Sequence, residues 1–140
     1  MRNLLIIVLS VFIWSCNPDQ ISTNPKGIGP VDTLDLAIIN DATMKKGLEL
    51  FKNKCSQCHT MEFKNSGPEI SDLLAYRKPE WLVNFLLNKE EMLLKDSLAL
   101  RTRVKYKEDC GANIANKQEA LEILEYFRIY QIWLHEFNVK

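Results

Sequence analysis

Cys55-Ser56-Gln57-Cys58-His59 is a Cys-x-x-Cys-His sequence, and its reading decides the rest of the chain. Two thiols three positions apart lie on one turn of backbone. They can reach the two vinyl groups of a haem and form thioethers, while the adjacent His59 sits beneath the iron and ligates it through an imidazole nitrogen. The second ring nitrogen then needs an acceptor to fix the tautomer. A thioredoxin-like redox pair would want a βαβ setting, and the flanks here read as helical. A zinc site would want a second Cys or His pair at ligand spacing, and the sequence has none. One covalent haem c is the expected cofactor.

The N-terminus supplies the compartment. Met1-Arg2-Asn3 precedes an apolar run from Leu4 to Trp14, with Ser15 before Cys16. The run falls short of the roughly 20 apolar residues that span a bilayer. A cationic start, an apolar middle and a small residue read as an export signal over 1–15. Ile13-Trp14-Ser15-Cys16 resembles a bacterial lipoprotein cleavage box, in which the Cys16 thiol carries the lipid. Trp14 stands where the usual box has a small residue. The alternative is an ordinary cleaved signal that leaves a free thiol. Residues 16–41 hold three of the five prolines and carry a net charge of −3, and they read as a solvated tether. Within them Leu34, Leu36 and Ile38 alternate, consistent with a short extended piece lying on the domain. The expected location is the periplasmic side of a bacterial membrane, lipid-anchored.

The whole chain is 140 residues, with 46% hydrophobic and 26% charged residues. That is a globular composition with room for one domain. Eighteen basic residues balance eighteen acidic ones, which argues against a dedicated nucleic-acid binder. The domain is expected over 42–140. Helices are expected at 44–54, 79–88, 96–106 and 117–135, from apolar stripes such as Trp81, Leu82, Phe85, Leu86 and Ala120, Ile123, Leu124, Phe127. Gly47, Phe51 and Cys55 share a face of the first. The expected fold is all-α, with about four helices wrapped around one haem.

Gly47-x-x-x-Phe51, Cys55-x-x-Cys58-His59, Gly67-Pro68, Trp81, Glu119-Ala120 and Tyr126-Phe127 together resemble the class I cytochrome c family, over nearly all of 44–130. The resemblance implies the small cytochrome c fold. It implies that the first and last helices cross at Gly47 and the aromatics, that the Pro68 carbonyl supports His59, and that Trp81 packs near the haem propionates. The stretch from Pro79 to Asp96 looks like a subgroup of small exported cytochromes of anaerobic respiration, including nitrous oxide reduction.

The family carries a distal Met before its last helix, and no Met stands there in this chain. Counting back from Glu119-Ala120, Cys110 falls at that place. A thiolate ligand would favour ferric iron and lower the reduction potential. Met92 is the leading rival, followed by an open or water-ligated site and then by Met61, Met44, Lys107 and His135. Residues 44–107 carry thirteen Lys or Arg against eight Asp or Glu, including Lys45, Lys46, Lys52, Lys54 and Lys64 near the motif. A basic rim of this kind would steer the protein to an acidic face on a redox partner, unless it is ordinary solubilising charge. The leading expectation is a monomeric electron carrier rather than an enzyme. A haem sensor with a displaceable distal ligand is the alternative, and a Cys-ligated haem enzyme is the third reading.

Overall fold

The computed structural model describes residues 21–106 and 113–137. They form six helices: α1 (Asp41–Lys54), α2 (Ser71–Tyr76), α3 (Pro79–Leu87), α4 (Lys89–Lys95), α5 (Ser97–Lys105) and α6 (Lys117–Phe137). No strand occurs among the described residues; Ser22 and Asp96 form one isolated bridge. The all-α expectation holds, with α2 and α4 added to the four helices read from the sequence.

Local chemistry sets the boundaries. Asn40 caps α1, its Oδ1 accepting from the Thr43 amide at 3.0 Å. Pro79 opens α3, where its missing N–H costs nothing. Asp96 caps α5, accepting at Oδ1 from the amides of Leu98 (3.0 Å) and Ala99 (2.9 Å). The same oxygen accepts from the indole N–H of Trp81 at 3.2 Å, so one buried carboxylate joins α3 to α5.

The helices α1 and α6 cross at Gly47. A Cβ there would lie 1.8 Å from the carbonyl oxygen of Glu122, so the two backbones meet at a distance that only glycine permits. Phe51 fills the next turn, with its ring 5.5 Å from Tyr126 and 5.7 Å, edge-on, from Phe127. Lys54 closes the far end of the crossing, donating to Glu119 at 2.7 Å and to the Asn113 carbonyl at 3.0 Å. The Lys54 ammonium and the Ala115 amide hold the Glu119 carboxyl below its usual range.

The expectation of a solvated tether over 16–41 does not describe residues 21–37. This segment lies on the domain as a strap. Ser22 donates to the Lys95 carbonyl at 2.6 Å and accepts from the Ser97 amide at 2.9 Å. Gly27 turns at φ 72° with no room for a side chain beside Met92 and Trp81. Val31 is only 3% exposed and belongs to the main apolar core. Its amide and carbonyl are both bonded by the Asn84 side chain, at 2.9 and 2.8 Å, and Asn84 also donates to the Lys26 carbonyl at 2.9 Å. Arg128 on α6 holds the Ala37 carbonyl at 3.0 Å. Leu34 and Leu36 pack on the core, as their alternation suggests, while Ile38 is exposed. Elsewhere prolines and glycines shape the extended path as they would a linker, which composition alone does not distinguish.

Asn84→Ala removes all three strap bonds. The unpaired Val31 groups stay buried, and each buried group left without a partner costs about 1–3 kcal/mol. The expected loss is roughly 2–4 kcal/mol in denaturant titration. Early proteolysis within 21–37 should accompany it.

Candidate haem site

The motif follows directly from the end of α1. Cys55 is the C-cap, its amide bonded to the Phe51 carbonyl. The amides of Cys58 and His59 then bond back to the Cys55 carbonyl, at 3.1 and 2.9 Å, and curl the motif into one turn. Next, the Gly67 amide donates to the Cys58 carbonyl at 3.0 Å and folds the 60–67 loop under the ring of His59.

His59 is held from two sides. Its Nδ1 lies 2.9 Å from the Pro68 carbonyl oxygen, which makes Nδ1 the protonated nitrogen and leaves the Nε2 lone pair for a metal. A Cβ on Gly67 would lie 2.2 Å from Cε1 and 2.9 Å from Nε2, so glycine is required beneath the imidazole.

Cys55, His59, Gly67 and Pro68 line one wall of a cavity of about 460 Å³. Trp81, Leu82, Phe85, Leu86, Ile123 and Phe127 supply most of its apolar lining, while Lys89, Glu90, Arg103 and Tyr106 bring polar groups. The residues fit a haem. The walls are apolar, one imidazole nitrogen is unengaged among the described residues, and the cysteine turn sits at the wall. Cys55 is a free thiol, and burial pushes it up to about 11, so it is an S–H at neutral pH.

Trp81 is buried, lines the cavity and stacks on Phe85 at 5.2 Å. Its N–H is spent on Asp96, and the Arg77 guanidinium lies 5.4 Å above its ring. Met92 is fully buried in a second small core with Trp81 and Ala99, and is not among the cavity-lining residues. Met61 packs on the main core, and it too is absent from the cavity lining, as are Met44 and the exposed His135. Cys110, Lys107 and Cys16 lie outside the described residues. The sequence reading did not single out Asp96, Asn84 or Arg77. Asp96 alone carried a local signal, an Asp directly before a helical stripe.

A second cleft, of about 340 Å³, adjoins the cavity and shares Pro68, Leu73, Thr102 and Tyr106 with it. Lys64, Arg77, Arg101 and Lys105 line it, with Glu69 as its acid. None of the four cations forms an ion pair with a described residue.

No protein-family model matches the chain, and no curated protein matches it. Solved structures do. A cytochrome c from Rhodothermus marinus is 27% identical, with a TM-score of 0.72 over 77% of this chain and 94% of that one. An engineered cytochrome c from the same organism, Rma TDE, is also 27% identical, with a TM-score of 0.71 over 77% of this chain and 95% of that one. The fold is therefore the cytochrome c fold. With Cys55 and His59 at the cavity wall and Cys58 in the same turn of chain, the cofactor is covalently bound haem c.

Proposed function

We propose that the protein is a monohaem c-type cytochrome that carries single electrons, tethered by lipid at Cys16 to the periplasmic side of a bacterial membrane. The observation that carries this reading is the His59 imidazole, fixed by the Pro68 carbonyl at 2.9 Å in an apolar cavity beside the Cys55–Cys58 turn. Bound haem supplies one-electron exchange at iron. The chain supplies the rest. Cys55 and Cys58 fix the macrocycle, His59 ligates through Nε2, and Phe85, Leu86, Ile123 and Phe127 exclude water. The proposed carrier works as a monomer, and a partner of the kind found in anaerobic respiration, such as nitrous oxide reduction, suits its resemblance. The cations of the second cleft, none of which pairs with a described residue, suit an acidic docking face on that partner.

The distal ligand in this reading is Cys110. The placement of Met92 away from the cavity lining supports this assignment over its leading rival. The oxidised holoprotein should then show a low-spin thiolate spectrum that Cys110→Ala abolishes, with a rise in reduction potential. A spectrum unchanged by the substitution would remove Cys110 from the iron. The same observation on the methionines favours one second reading, a haem sensor whose distal position opens to a small ligand. Carbon monoxide titration of the reduced protein separates the two. A carrier with a firm distal ligand binds none, and a sensor saturates.

A further inference from the structure

We propose that the lipid anchor holds the corner formed by α4, α5 and the start of the strap against the membrane, so that the cavity edge at Leu94 faces the bilayer. This rests on the reading of Cys16 as the lipidated residue.

Reach limits how the domain can sit. Were residues 16–41 a free tether, it would allow about 90 Å of extension at ~3.6 Å per residue, and the domain would have no preferred face. The strap removes most of that length. Ser22 is bonded on both sides, to Lys95 and Ser97, at 2.6 and 2.9 Å. Only the stretch from Cys16 to Ile21 is left, and it spans at most about 18 Å. The exit point of the chain must therefore stay within that distance of the acyl chains.

The surface at the exit suits a bilayer. Ile21 is 59% exposed, Leu94 62% and Val104 77%. Arg103 donates to the Leu93 carbonyl at 3.4 Å, which brings the end of α5 beside Leu94. Arg103 is exposed and available to lipid phosphates. Glu90 and Glu91 on α4 oppose it, and Lys95 offsets Glu91 at 3.3 Å. Leu93, Leu94 and Arg103 also line the haem cavity, so the same corner carries part of its wall. A partner reaching the haem from this side would itself be membrane-bound.

The test uses the processed holoprotein in vesicles of phosphatidylcholine and phosphatidylglycerol, with a photoactivatable phospholipid. Cross-linked peptides are mapped by mass spectrometry. Cross-links should concentrate in 21–31 and 89–105, with α1 unmodified. Inserting ten Gly/Ser residues between Asn17 and Pro18 should abolish that preference without altering the haem spectrum. Cross-links spread evenly over α1 and α6, or a preference that survives the insertion, would overturn the orientation. The mass of the N-terminal peptide reports separately on the anchor. An unacylated Cys16 overturns the lipoprotein reading itself, and the orientation with it.

Discussion

Gly47→Ala is expected to cost the domain about 3 kcal/mol or more, at the upper end of overpacking penalties. In an exposed helix the same change gains up to about 1 kcal/mol from helix propensity. Here the sign reverses, because the added Cβ would lie 1.8 Å from the Glu122 carbonyl oxygen and 2.6 Å from its carbon. Both atoms are backbone, so no rotamer change relieves the contact. α1 and α6 must separate, which unseats Phe51 from Tyr126 and Phe127 and displaces Cys55 one turn away. With roughly 4–8 °C lost per kcal/mol in a domain of this size, thermal melting of the holoprotein reads the effect directly. Glu49→Ala, on the exposed face of the same helix, is the control and should stay within about 0.5 kcal/mol of the parent. An unchanged melting temperature in Gly47→Ala would mean that the crossing is looser than described.

Gly67→Ala should damage the site more than the fold. The new Cβ would sit 2.2 Å from His59 Cε1 and 2.6 Å from Nδ1. The ring must tilt or retreat, and the 2.9 Å contact from Nδ1 to the Pro68 carbonyl goes with it. The thioethers keep the haem on the chain, so the expected result is a covalently loaded protein with a high-spin component and a shifted reduction potential. Pro68→Ala is the matched comparison. It keeps the carbonyl that His59 uses and should leave the axial ligand in place. If both variants hold the parent spectrum, the proximal support does not act through this carbonyl.

These two glycines also show how much of the molecule could be read from its sequence. The motif at 55–59 is local chemistry, and its meaning survives without a structure. The crossing at Gly47 and the support from Pro68 were accessible through resemblance to a known family. Their tightness was not, since close approach depends on what lies opposite. Beyond the alternation at Leu34 and Leu36, composition does not separate the strap from a linker, because Pro, Gly and Asp favour extended backbone whether or not it is solvated. What binds it is Asn84, a polar residue on an apolar helix face, and nothing local marks its partners more than fifty positions away. The helix α4 was missed for a similar reason. It has seven residues, four of them charged, and its stability comes from burying Met92 against Gly27 and Trp81. The proposal of Cys110 as distal ligand combines its register with the absence of Met92 from the cavity lining.

Cys55, Cys58 and His59 are expected to hold a haem covalently. The most direct test matures the chain in a bacterial periplasm that attaches haem and measures the mass of the denatured protein, together with its absorption spectrum. One haem should be retained after denaturation and lost when Cys55 and Cys58 are both replaced by Ser, and the low-spin spectrum should depend on His59. A protein recovered folded at the mass of the processed polypeptide, with no haem absorption, would contradict that expectation.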